Sequence, residues 1–274
     1  MKRTLITLVS AITLLFIFSS ASEAYWTPYD LNHDYSTDGF SYGYRESVQV
    51  PLIKDPGLTG FRFYFRRDLV PSIIEARAFE RTVEVDFARH PSENASYYWF
   101  VDRQQLPSVT TFHSVTGRAT NGRAFRALTQ YRYPYQPDSV PVLTGFRMEK
   151  FDGSRLAHIK LRLLKVGDTS YLDILWKGYS GLPFDYQVDY ALIPSKYCEQ
   201  KVYFSSKAEQ WDVDWHLLLA PVLQGFELKF MDGVPRTTYG LGVTLEYGRV
   251  TVYNNSAGSG YFEWRVWGVG FRKH

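Results

Sequence analysis

Leu143-Thr144-Gly145-Phe146 opens the stretch whose reading decides the architecture, because the phrase also stands at Leu58-Thr59-Gly60-Phe61 and, with one change, at Leu223-Gln224-Gly225-Phe226. The glycines recur after 85 and then 80 residues, and Val101, Val188 and Val266 follow them by 41, 43 and 41 residues inside a second aromatic segment. Constant internal spacing of this kind argues for duplication of one unit. A glycine at the start of an apolar strand supplies a bulge, a positive φ or a close backbone approach, and the neighbouring Phe anchors a core. The phrase is therefore a marker of fold and carries no chemistry.

Working outward from Gly145, residues 141–150 alternate towards Asp152-Gly153, a dipeptide that signals a hairpin between alternating runs. Residues 158–163 alternate again, Gly167-Asp168 marks a second turn, and 171–176 and 184–190 complete four strands in meander order. The third copy repeats the plan over 226–230, 241–247, 249–253 and 261–267, with Asp232-Gly233 and Gly248 as its turns. In the first copy Arg67-Asp68 stands at the matching turn without glycine, followed by strands over 73–79, 82–87 and 97–101. The connectors 25–50, 108–139 and 195–220 are too β-prone and aromatic for flexible linkers, so each is expected to add one or two strands to its following unit. No run of eleven or more residues after the N-terminal segment has helical periodicity. The expectation is an all-β chain of three related antiparallel β-sandwich-like units in tandem after a signal peptide, at 1–24, 25–107, 108–194 and 195–274. The repeated strand resembles lectin-like sandwiches in general architecture.

Lys2 and Arg3, the apolar run over 5–18 and the small residues before Glu23-Ala24 read as a cleaved secretory signal. No second long apolar segment follows, so the mature chain is expected to have no transmembrane helix and to be exported, to the periplasm or outside the cell. Removing Lys2, Arg3 and Glu23 lowers the formal charge from +3 to +2, which is no signature of nucleic-acid binding. Cys198 is the only cysteine, so no internal disulfide forms and packing by a 17% aromatic chain must hold the fold.

Aromatic residues interleaved with polar ones suit sugars, whose C–H faces stack on rings while their hydroxyls seek hydrogen-bonding neighbours. Trp26 and Tyr29 in one Pro-containing segment, Tyr131, Tyr133 and Tyr135 in another, and Trp211 and Trp215 are the candidate ligand contacts. The same residue types also serve as core and rim material in small sandwiches. Asp30, Asn32, Asp34 and Asp38 place oxygen at near-alternate positions, as a calcium loop does. Tyr35 and Ser41 depart from the EF-hand pattern, so calcium is an alternative there to a plain polar turn. Asp212, Asp214 and His216 share one face of an extended segment, a weak acid-base or metal cluster that a solvated face explains better. No nucleophile elbow, phosphate loop or other catalytic motif is present. The sequence favours a secreted non-enzymatic protein that binds polysaccharide or surface glycan without a required cofactor. A protein partner in the envelope ranks next, then an outer-membrane barrel, then a polysaccharide-active enzyme using Asp212 or Asp214.

Overall fold

The computed structural model describes residues 35–41, 45–69, 72–87, 97–107, 111–127, 139–150, 156–166, 169–178, 183–206, 212–214, 221–230, 238–246, 249–256 and 262–271. They form eighteen strands, six from each third of the chain. The first third supplies β1 (Tyr35–Ser41), β2 (Glu46–Gln49), β3 (Pro56–Leu69), β4 (Ile73–Ala78), β5 (Thr82–Asp86) and β6 (Tyr97–Gln105). The second supplies β7 (Thr111–Ala119), β8 (Arg123–Ala127), β9 (Ser139–Lys150), β10 (His158–Val166), β11 (Thr169–Lys177) and β12 (Phe184–Pro194). The last supplies β13 (Cys198–Ser206), β14 (Asp212–Asp214), β15 (Val222–Phe230), β16 (Thr238–Glu246), β17 (Arg249–Ser256) and β18 (Phe262–Phe271). The fold is all-β and antiparallel, as the alternation predicts. Among the described residues each connector contributes two strands.

The strands assemble into three six-stranded sheets, in the orders β1-β6-β3-β16-β17-β14, β2-β5-β4-β9-β12-β7 and β13-β18-β15-β10-β11-β8. Each third gives three strands to one sheet and three to another, and the interior ring contacts of a third span its two halves. Phe87, which follows β5, meets Phe63 of β3 at 5.0 Å and Tyr97 of β6 at 5.8 Å, and Trp176 of β11 meets Phe184 of β12 at 6.4 Å. In the first and second thirds the two half-sheets thus face each other over apolar side chains. The thirds are then sewn edge to edge: β3 pairs with β16, β9 with β4, and β15 with β10. Through β3 and β16 the first third is joined to the last, which closes a ring.

This topology corrects the meander expectation. The strands on either side of Asp152-Gly153, β9 and β10, do not pair; β9 lies between β4 and β12, and β10 between β11 and β15. The strands flanking Asp232-Gly233 are likewise separated into different sheets. Both edges of each motif strand are already occupied, so the chain must leave for the next sheet. Gly167-Asp168 and Gly248 do join paired strands, β10 with β11 and β16 with β17.

The repeated phrase builds the centre. Phe61, Phe146 and Phe226 are fully buried and meet around one axis, with ring centroids 4.9, 4.9 and 5.3 Å apart. Just before each glycine the pairing slips by a residue: Thr59, Thr144 and Gln224 are bulged out of register. The slip lets Leu58, Leu143 and Leu223 and the following Phe all reach the core. Each glycine lets the neighbouring third come close. A Cβ on Gly60 would stand 2.7 Å from Thr244 Cα, on Gly145 2.7 Å from Arg77 Cα, and on Gly225 2.6 Å from Arg162 Cα. Any side chain there would push the seam apart. One apolar cluster runs through all three thirds, and a smaller one, built from Leu106, Val142, Ile193, Val222, Val269 and Phe271, lies where the motif strands begin.

Candidate functional site

The residues paired with each motif glycine reach across it on the outer face of the sheet. In the first sheet Thr244 Oγ1 donates to Asp102 Oδ2 at 3.2 Å, and in the second Arg77 Nε donates to Asp189 Oδ2 at 2.6 Å. In the third the Arg162 guanidinium lies over Trp267, 4.5 Å from its ring centroid. Three equivalent gaps thus hold a hydrogen bond, an ion pair and a cation–π contact.

On the second sheet these contacts extend into a network. Glu75, fully buried, accepts from Arg45 Nη2 at 2.8 Å and from Arg147 Nη1. Arg147 also donates to Asp86 and Glu149, both at 2.9 Å, while Glu84 accepts from Arg45 at 2.6 Å and Arg77 at 2.8 Å. Burial raises the Asp86 carboxyl above its ordinary value, outweighing its bond to Arg147. Burial works against the charged form of Arg147, but its bonds to Asp86, Glu149 and Glu75 and the Glu75 charge prevail and raise it. Each of these carboxylates is engaged by arginine, which ties neighbouring strands together.

The third sheet carries a second network. His158 Nε2 lies 2.7 Å from Glu227 Oε1, Arg265 Nη1 donates to Glu227 Oε2 at 3.2 Å, and Lys160 Nζ stands 2.6 Å from Asp173 Oδ2. Burial pushes Glu227 up, yet the His158 bond and the charges of Lys160, His158 and Arg265 together hold it below its ordinary value. Among the described residues no group of His, Cys, Asp and Glu is arranged to hold a metal ion.

The candidate contacts Trp26, Tyr29, Tyr131, Tyr133, Tyr135, Trp211 and Trp215 lie outside the described residues, as do Asp30, Asn32, Asp34 and His216. Asp38 falls within β1, paired with Phe100, and Asp212 and Asp214 fall within β14, paired with Thr251 and Arg249. Trp99, Trp176 and Trp264 are buried in the core, so part of the aromatic content is packing material. The ion-pair networks were not anticipated as networks. Their only sequence signal is the charged residue at every second position of segments such as His158-Ile159-Lys160-Leu161-Arg162.

The three sheets share one polarity. In each, the motif strand begins where the last strand of the same third ends: Pro56 beside Gln105, Ser139 beside Pro194 and Val222 beside Val269. Tyr35, which follows the first aromatic segment, lies beside Arg103 at this end. Ala127 and Ser139 bound the Tyr131–Tyr135 segment there, and Asp214 and Val222 bound the segment holding Trp215.

No family model matches the chain, and no curated protein matches it. Among solved structures, the major capsid protein P2 from bacteriophage PM2 aligns at 6% identity and a TM-score of 0.20, over 57% of this chain and 96% of that one. A triple jelly-roll structure from an archaeal virus aligns at 7% identity and 0.19, over 83% and 81%. A chain of the entire lipid-containing bacteriophage PM2 aligns at 12% identity and 0.15, over 86% and 87%. Likeness this slight transfers neither a fold nor a function.

Proposed function

We propose that this chain is an exported, non-catalytic binding protein that recognises a repeating polymer, a polysaccharide or surface glycan, through segments gathered at one end of its three-sheet body. The shared polarity of the sheets carries this reading. It gathers the strand ends bounding three aromatic-rich segments at a single end, where weak contacts to successive sugar units gain avidity without any new contact. The outer faces, by contrast, use their charged groups on one another. Calcium is proposed at the stretch from Asp30 to Asp38, whose last residues enter β1 at this end. A protein partner is the second reading, favoured by the exposure of Leu52, Tyr98 and Phe112.

The test compares binding to immobilised polysaccharides with binding to short oligosaccharides, with calcium and with chelator. Polymer binding is expected to exceed oligosaccharide binding by about 100-fold, and Tyr133→Ala with Trp215→Ala should remove most of that excess. Loss in chelator assigns a metal to Asp30, Asn32, Asp34 and Asp38. Failure to bind any polysaccharide while an envelope protein co-purifies replaces this reading with the second.

A further inference from the structure

Six strands form the edges of the three sheets: β1 and β14, β2 and β7, and β13 and β8. Exposed edges are templates for pairing with another chain, and proteins blunt them with shortness, charge or bulges. Five of the six are blunted. β2, β14 and β8 are four, three and five residues long. β1 carries the acidic Asp38 at its midpoint, while β13 carries Glu199, Lys201 and a register break between Cys198 and Gln200. β7 differs. Its nine residues, Thr111-Phe112-His113-Ser114-Val115-Thr116-Gly117-Arg118-Ala119, pair with β12 without irregularity, contain no Lys, Pro or acid, and have no other strand neighbour among the described residues.

The outer face of β7 presents Phe112, Ser114, Thr116 and Arg118, all exposed, with Phe112 at 50%. Arg118 is already held in place: Nε donates to Asp185 Oδ1 at 2.6 Å and Nη2 to Oδ2 at 3.0 Å. The guanidinium is thereby held on the outer face of the strand.

We propose that β7 is a self-association edge, joining β7 of a second copy in antiparallel pairing about a twofold axis through Val115. The sequence is self-complementary in that register. Phe112 lies opposite Arg118 of the second copy, so no like charges face each other, and Ser114 lies opposite Thr116. On the core side His113, stacked on Tyr190, meets Gly117, where Tyr186 Oη already occupies the place of a Cβ at 2.7 Å. Inner residues oppose inner ones and outer oppose outer, so the sheet and the apolar layer beneath it continue across the axis. A one-residue slip turns the apolar face outward, and a two-residue slip separates Phe112 from Arg118. The partner is a second copy of this chain, and the pairing does not depend on what the chain binds.

Sedimentation of the protein as the cell produces it, over a range of concentrations, should show a reversible dimer. Ser114→Lys with Thr116→Lys sets lysine against lysine across the axis and should weaken dimerisation at least about tenfold. Ser114→Lys with Thr116→Glu sets lysine against glutamate and should restore it. Both positions are exposed, so an unchanged melting temperature certifies the fold. A wild type that is monomeric at every concentration overturns the proposal. So does a dimer that resists the lysine pair, or one that the lysine–glutamate pair fails to restore.

Discussion

The outer faces of the second and third sheets share one backbone plan and solve the burial of charge in opposite ways. Around Asp86 the second sheet crowds Glu75 and Glu149 on Arg147, and burial wins: the carboxyl sits above its ordinary value. Around Glu227 the third sheet sets His158, Lys160 and Arg265, and the positive charges win: the carboxyl sits below its ordinary value. The backbone demand repeats in each sheet, while the side chains above it were free to diverge. What is repeated is the seam, and what varies is its outer covering.

The comparison is broken most forcefully at the seam itself. Gly145→Val and Gly225→Val should each cost about 3 kcal/mol, nearly alike despite their different coverings. Chemical denaturation measures this, and a large gap between the two would mean that the covering, not the backbone approach, sets the tolerance. Next, Arg147→Met leaves Glu75 and Asp86 without their main shared partner. It should cost about 3 kcal/mol at neutral pH, as for other broken buried pairs, and less in acid where the carboxyls protonate. A loss that does not vary with pH would contradict the network reading.

The smallest effect sharpens the contrast, and its sign follows from linkage. Glu227, lowered in the folded state, contributes stability present above its ordinary value of 4.5 and lost as the pH falls through its lowered value. Asp86, raised, contributes stability present below its ordinary value of 3.8 and lost as the pH rises through its raised value. Glu227→Gln should therefore flatten the acid fall of a melting-temperature profile, whereas Asp86→Asn should leave that fall in place. Profiles that shift in the same direction would erase the distinction between the two faces.

Strand positions were legible because alternation is local: the segments read at 158–163 and 171–176 lie inside β10 and β11. Partnership was not. Nothing near Asp152-Gly153 tells β9 to ignore β10 and take β4, because the choice is made by an edge of the first third and by the space above Gly145. The same limit hid the networks. Arg147 is visibly charged and visibly outward, but Glu75 and Asp86 reach it only once two thirds of the chain share a sheet. The glycine phrase was correctly assigned to structure, yet its reason, a neighbour's backbone, lies far away in sequence.

The pairing of β3 with β16 has a kinetic consequence. Phe61 and the edge of β3 appear early in synthesis, but Phe226 and the residues of β16 that complete their surroundings are made only near the end of the chain. Partners so distant along the polypeptide are slow to find each other. The residues of β3 are therefore satisfied only after those of β16 are made, and a nascent chain must wait, with an apolar strand exposed, until that later strand is free to close on it.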